Sequence, residues 1–189
     1  DPKFADALTN LGTVLQTLGK HEEAVVMLKR AAALAPQMAA IHFNLGNTLA
    51  DLKQNAAAVA AYDAAIAIQP NYPMAHSNRG IALRDLDDLA GATTAFITAL
   101  DQDPAYVEAR YNLDNCYRDL GRLTDAEREI REVIRLRPTH ANAHNSLGNI
   151  LSDQGRVAEA IMAFGEAMRL DPTSIAAGSN WLSAQQYVP

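Results

Sequence analysis

Six of the eight prolines in this 189-residue chain stand on a single ladder with a 34-residue step: Pro2, Pro36, Pro70, Pro104, Pro138 and Pro172. Only Pro73 and Pro189 lie off it. A proline cannot continue a helix interior, because it lacks the backbone N–H and its ring clashes with the preceding turn. A strict proline period therefore imposes a strict period of breaks. Other residues fall into phase with it: Ala24, Ala58, Ala92, Ala126 and Ala160 recur together, and four residues later come Leu28, Tyr62, Phe96, Ile130 and Phe164. Leu11, Leu45, Leu113 and Leu147 align as well, followed directly by Gly12, Gly46 and Gly148, with Gly80 in the same phase. The chain is an internal repeat.

Composition says what the repeat is made of. The chain is 49% hydrophobic, but aromatics supply only 6% and Ala and Leu dominate. Those two residues are among the strongest helix formers. In the last full unit Val157, Ala160, Ile161, Phe164, Ala167 and Met168 follow the spacing of an amphipathic helix stripe. Gly19, Gly121 and Gly155 fall where a helix must stop and turn. Small residues such as Gly46 and Ala58 allow two helices to approach closely. One such unit cannot bury its own apolar face, so neighbouring units must stack to build a continuous core.

A 34-residue helix–turn–helix period with these small and large residues in register resembles the tetratricopeptide repeat (TPR). The resemblance implies an all-α, right-handed α-solenoid of TPR helix-turn-helix repeats, with eleven helices and one concave surface. It places five full repeats at 5–38, 39–72, 73–106, 107–140 and 141–174 within a single domain over 1–189. Residues 175–189 then form an extra capping or linker helix, with Trp181 and Leu182 where a first helix carries its core pair. Asp1 and Pro2 look like the last residues of a preceding repeat. Two positions depart from the pattern. Arg79 stands where other units carry Leu, and Asp114 replaces the small residue of the fourth unit. An unpaired buried carboxylate is costly, so Asp114 is expected to reach solvent or a basic partner, with local looseness in that unit.

The same resemblance implies that the first helix of each unit lines the concave face with its second, fifth, sixth, ninth, twelfth and thirteenth residues. The sixth site reads Asn10, Asn44, Asn78, Asn112, Ser146 and then Asn180 in the terminal helix. The ninth site adds Asn47, Asn115 and Asn149 to the inward set. Asn costs ~0.5 kcal/mol against Ala within a helix, so its recurrence needs a reason. In one reading the amides grip a bound peptide, since each can pair with a peptide C=O and N–H together. Helices packed about 8–10 Å apart would then meet roughly every third residue of an extended chain. In the other reading the amides bond across neighbouring helices and serve the fold. The thirteenth site gives Asp51, Asp85, Asp119 and Asp153, which either contact hydroxyl or basic side chains of a peptide or belong to solvated turns.

Other candidates have plainer explanations. His42, His76 and His144 share the fourth site, one repeat apart, too far to ligate one metal ion and so read as packing residues. Cys116 is the only cysteine, which excludes an internal disulfide, and it lies on an apolar helix side. Arg128, Arg131, Arg135 and Arg137 alternate with Glu127, Glu129 and Glu132, the pattern of an ion-paired helix face. The net charge of −6 is opposite to that of a phosphate-binding surface. No phosphate-binding loop, nucleophile motif or metal-ligand cluster is present, so no catalysis, cofactor or metal is expected. No run is long and apolar enough to span a bilayer. The expected partners are extended segments of other polypeptides, without nucleic acid or membrane insertion and with possible self-association through exposed solenoid ends. The expected location is cytoplasmic.

Two stretches point to a narrower resemblance. Residues 41–46 (Ile-His-Phe-Asn-Leu-Gly) and 75–80 (Ala-His-Ser-Asn-Arg-Gly) are similar to repeats of O-linked N-acetylglucosamine transferases, as is the tail from Ser179 to Pro189. The tail departs from that family's segment at Trp181 and Gln186. This resemblance implies a substrate-recruiting arm with an Asn-lined groove. The alternatives are a free-standing scaffold or assembly factor, and a clamp for a chaperone's terminal carboxylate. The clamp needs basic residues at the fifth site, which instead holds Thr9, Phe43, Ser77, Tyr111 and Asn145.

Overall fold

The computed structural model describes residues 2–186 and is all-α, with eleven helices and no strand among them. The helices are α1 (Pro2–Thr17), α2 (His21–Leu34), α3 (Ala39–Asp51), α4 (Asn55–Ile68), α5 (Pro73–Asp85), α6 (Leu89–Gln102), α7 (Val107–Asp119), α8 (Leu123–Leu136), α9 (Ala141–Asp153), α10 (Val157–Leu170) and α11 (Ile175–Gln185). They form two compact units, the first ending at Pro104 and the second beginning at Ala105. Within the first, α1 pairs with α2, α3 with α4 and α5 with α6, while α2 packs on α3 and α4 on α5. The second repeats the scheme with α7–α8 and α9–α10, α8 packing on α9 and α10 on α11.

Each even-numbered helix from α2 to α10 stops two residues before a ladder proline. The residue between them has a φ of −128° to −138° and a ψ of 66° to 92°. That conformation follows from the clash that keeps a residue before proline out of the helical region. Pro2 differs: it is the first residue of α1 rather than part of an inter-repeat turn. A proline is well suited to a first helical position, where its missing N–H would have no partner anyway. Asp1 lies outside the described residues.

The odd-numbered helices α1 to α9 end in one shared device. Their residues two beyond the helix, Gly19, Lys53, Asp87, Gly121 and Gly155, have φ between 59° and 76°. The next N–H reaches back five residues, as in Lys20 to Leu15 at 2.8 Å and Gln54 to Leu49 at 2.9 Å. This double closure satisfies carbonyls that a helix end leaves open. Glycine adopts the left-handed region freely; Lys53 and Asp87 adopt it under the same closure.

The core is the in-phase residues. Ala24, Ala58, Ala92, Ala126 and Ala160 are fully buried, and so, or nearly so, are Leu28, Tyr62, Phe96, Ile130 and Phe164. At Gly46 a Cβ would lie 2.5 Å from Cε1 of Tyr62, so only glycine permits this ring against α3. Asp114 holds the equivalent position in α7 and does not reach solvent. It is fully buried, and its partner is not basic but the hydroxyl of Ser146, which donates to Oδ2 at 2.7 Å. Helix α11 begins at Ile175, with the Ser174 hydroxyl accepting from the Ala177 N–H. Trp181 is half-buried and Leu182 is 59% exposed, so they are not a core pair; Ala177 and Ala184 are the residues that α11 buries.

Candidate functional site

In the first unit the side chains of α1, α3 and α5 converge on a depression of about 340 Å³, lined by Gln16, Asn47, Ala50, Asp51, Asn78 and Ile81, with Tyr62 of α4 at its back. These are sixth-, ninth-, twelfth- and thirteenth-site residues, brought together because three successive first helices lie side by side. Beside it, a second depression of about 460 Å³ is lined by His21, Ala50, Asp51, Lys53, Asn55, Ile81, Ala82 and Asp85. The walls alternate amide, carboxylate and aliphatic groups.

The amides are bonded to one another across repeats. Asn78 Nδ2 donates to Asn47 Oδ1 at 2.9 Å, and the Tyr62 hydroxyl donates to the same oxygen at 2.9 Å. In the second unit Asn180 Nδ2 donates to Asn149 Oδ1 at 3.0 Å and to Asn145 Oδ1 at 3.1 Å. Burial pushes the Tyr62 phenol well above its usual range, so this hydroxyl keeps its proton and remains a donor. Asn112 turns its Nδ2 back to the Glu108 carbonyl of its own helix at 2.9 Å. Asn44 is half-buried and Asn10 exposed, and neither side chain has a hydrogen-bond partner among the described residues. The structure thus joins Asn47 to Asn78 and Asn149 to Asn180, and leaves Asn10, Asn44 and Asn115 out of such pairs.

Asp51, Asp85, Asp119 and Asp153 are the last residues of α3, α5, α7 and α9, and all are exposed. Asp51 accepts from Gln16 Nε2 at 2.6 Å and lies 3.7 Å from His21 Nδ1, and Asp85 accepts from Asn55 Nδ2 at 3.4 Å. Both bonds cross from one repeat to the next. Asp119 and Asp153 make none.

The histidines do more than pack. His42, His76 and His144 each bring Nε2 within 2.9–3.1 Å of the carbonyl of the ladder proline six residues before: Pro36, Pro70 and Pro138. Since a carbonyl only accepts, Nε2 must carry the proton. The signal was present in the sequence as a constant Pro–His interval, readable once the turn geometry is known. Arg110 takes this site in α7 and pairs with the nearly buried Glu129 of α8. The arginine-rich helix is ion-paired: Arg131 to Glu127 at 2.7 Å, Arg135 to Glu132 at 2.6 Å, Arg128 to Asp125 at 3.0 Å and Arg137 to Glu108 at 3.2 Å. Arg122 first, with Arg128, holds the Asp125 carboxyl below the usual carboxylate range, and Arg135 does the same for Glu132. Burial pushes Glu127 up, but Arg131 and Arg156 together outweigh it and hold it low. Arg79 pairs with Asp63 at 2.6 Å, which explains its tolerance at a leucine site. Cys116 is fully buried. Among the described residues no group of three or more His, Cys, Asp or Glu could hold a metal ion, and no helix is long and apolar enough to cross a membrane.

Comparison with known proteins agrees with this geometry. The family model described as tetratricopeptide repeat matches residues 9–73, 77–129 and 115–175. No curated protein matches the sequence. Among solved structures, a MamA crystal structure is similar at a TM-score of 0.84 and 20% identity, over 91% of this chain and 94% of that one. MamA from Desulfovibrio magneticus RS-1 gives 0.84 and 23%, over 90% and 97%. YrrB, described as a TPR protein with an unusual peptide-binding site, gives 0.79 and 20%, over 95% and 90%.

Proposed function

Because the chain belongs to the tetratricopeptide-repeat family, we propose that it is a protein–protein interaction module whose first helices hold an extended segment of another polypeptide. The observation that carries this reading is the depression lined by Gln16, Asn47, Asp51, Asn78 and Ile81. Its donors and acceptors are neutral amides and one carboxylate, interleaved with aliphatic walls, which suits a peptide backbone with mixed side chains. It does not suit phosphate, which calls for cationic groups. The peptide-binding site reported for YrrB, on the same fold, is consistent with this use.

No catalytic role is proposed. The narrower reading as the recruiting arm of an O-linked N-acetylglucosamine transferase has no support in these comparisons. The end of the tail that suggested it, Tyr187 to Pro189, lies outside the described residues. The binding module itself is the reading carried forward.

Calorimetric titration with an unstructured peptide, a scrambled version and a backbone N-methylated version tests it. The first two should bind alike and the methylated one about tenfold or more weaker, the loss of two or three hydrogen bonds at ~0.5–1.5 kcal/mol each. Equal affinity for the methylated peptide, or no binding of any, overturns the proposal.

A further inference from the structure

The asparagines of the groove-lining helices are not equivalent, and their neighbours make the difference. A side-chain amide can pair with both the C=O and the N–H of one peptide unit only when its own oxygen and NH2 are both available. Asn47 has given its oxygen to two donors, Tyr62 and Asn78. Asn149 has given its oxygen to Asn180. In each case a donor is the asparagine at the sixth site of the next repeat. Asn112 has turned its NH2 to its own backbone.

Asn115 occupies the ninth site of α7, the site that Asn47 and Ile81 fill in the depression of the first unit. At its sixth site, where the partners of Asn47 and Asn149 stand, the next repeat offers it no asparagine. The sixth-site residue there is Ser146, and its hydroxyl is drawn to the buried Asp114 carboxylate at 2.7 Å while accepting from Arg118 Nη1 at 3.4 Å. The Asn115 side chain is half-buried and has no hydrogen-bond partner among the described residues.

We infer that Asn115 is the residue through which the second unit grips a bound chain, by a paired contact with the C=O and N–H of one peptide unit. Asp114 is a positioning residue that keeps Asn115 available by diverting Ser146. The inference rests on the peptide-binding reading above. It gives the carboxylate a role where other repeats carry glycine: the inter-repeat bond runs from Ser146 to Asp114 instead of to the ninth-site amide, which is released to the groove.

The test uses the full chain and the same unstructured peptide, by calorimetry, with melting temperature as the check on folding. Asn115→Ala should lower affinity about five- to tenfold, the loss of two hydrogen bonds, with little change in melting temperature. Ser146→Asn combined with Asp114→Gly recreates the junction seen at Asn47 and Asn149, and should lower affinity similarly while Asn115 itself stays unchanged. Peptide binding unaltered in both variants overturns the role of Asn115 and leaves the peptide-binding reading standing. Binding lost in Asn115→Ala but not in the double variant overturns the positioning role of Asp114. A wild-type chain that binds no peptide takes down both readings together.

Discussion

Ser146 and Asp114 are 32 residues apart in sequence and 2.7 Å apart in space, the serine hydroxyl donating to a carboxylate with no solvent exposure. Burial pushes the Asp114 carboxyl up to about 6 from a usual 3.8. The Ser146 bond and the nearby Arg118 charge pull it back down, and Glu129 and Asp119 add to the rise. The folded state therefore holds this proton more tightly than the unfolded chain. Stability from this group is highest below pH 3.8, falls as pH rises toward 6, and is fully lost above it. The cost at neutral pH is on the order of 3 kcal/mol. Asp114→Asn should raise stability at pH 7.5 by about 1–3 kcal/mol and flatten the urea-midpoint profile between pH 4 and 6.5. The carboxylates held low by arginine act in the opposite direction: their contribution is present above their ordinary values of 4.5 for Glu127 and Glu132 and 3.8 for Asp125, and is lost as pH falls below them. An unchanged profile would show that Asp114 does not titrate there.

Lys53 and Asp87 have φ of 59° and 65° at turns where the other three repeats have glycine. A left-handed residue with a Cβ costs roughly 1–2 kcal/mol, and glycine recovers most of it less its own entropy. Lys53→Gly and Asp87→Gly should each stabilise by about 0.5–1 kcal/mol. They lie in different repeats, so the double variant should be additive. Thermal melts decide it: a lowered midpoint would mean that side-chain contacts outweigh the backbone.

Gly46 faces the Tyr62 ring, which its hydroxyl bond to Asn47 holds in place. Gly46→Ala should cost about 1–3 kcal/mol, as overpacking does. Gly165 is the internal control, since the nearest atom to its added Cβ is Nε1 of Trp181 at 3.8 Å. Gly165→Ala should be stabilising by roughly 0.5–1 kcal/mol through helix propensity. Similar effects of the two substitutions in denaturant titrations would refute the close approach.

Leu11 and Leu113 hold the same site in their repeats, yet Leu11 is 46% exposed and Leu113 only 2%. Leu113→Ala should cost about 2–5 kcal/mol. Leu11→Ala should cost less than about 1 kcal/mol, the smaller transfer term of a side chain already half in water. Phe4 and Val14 are exposed with Leu11 on α1, as is Leu18 just past its end, and such a patch favours association. Light scattering should show concentration-dependent self-association that Leu11→Glu with Val14→Glu reduces. A monomer at every concentration would refute it.

The repeat, its period and the positions of its breaks were legible in the chain because they follow from local, covalent facts. A proline stops a helix wherever it stands, a glycine permits the left-handed turn, and an apolar stripe of helical spacing needs no partner to be recognised. The identity of the core residues followed from the same phase. What the phase could not say is what each polar side chain does, because those bonds join residues about one repeat apart and depend on their neighbours. Asn47, Asn115 and Asn149 are equivalent in sequence position; only Tyr62, Asn78 and Asn180 on one side, and Ser146 turned to Asp114 on the other, separate them. The burial of Asp114 and the exposure of Leu11 were decided in the same way. Pattern assigns a residue to a face, whereas the helix packed opposite determines whether that face meets water, a hydroxyl or another amide.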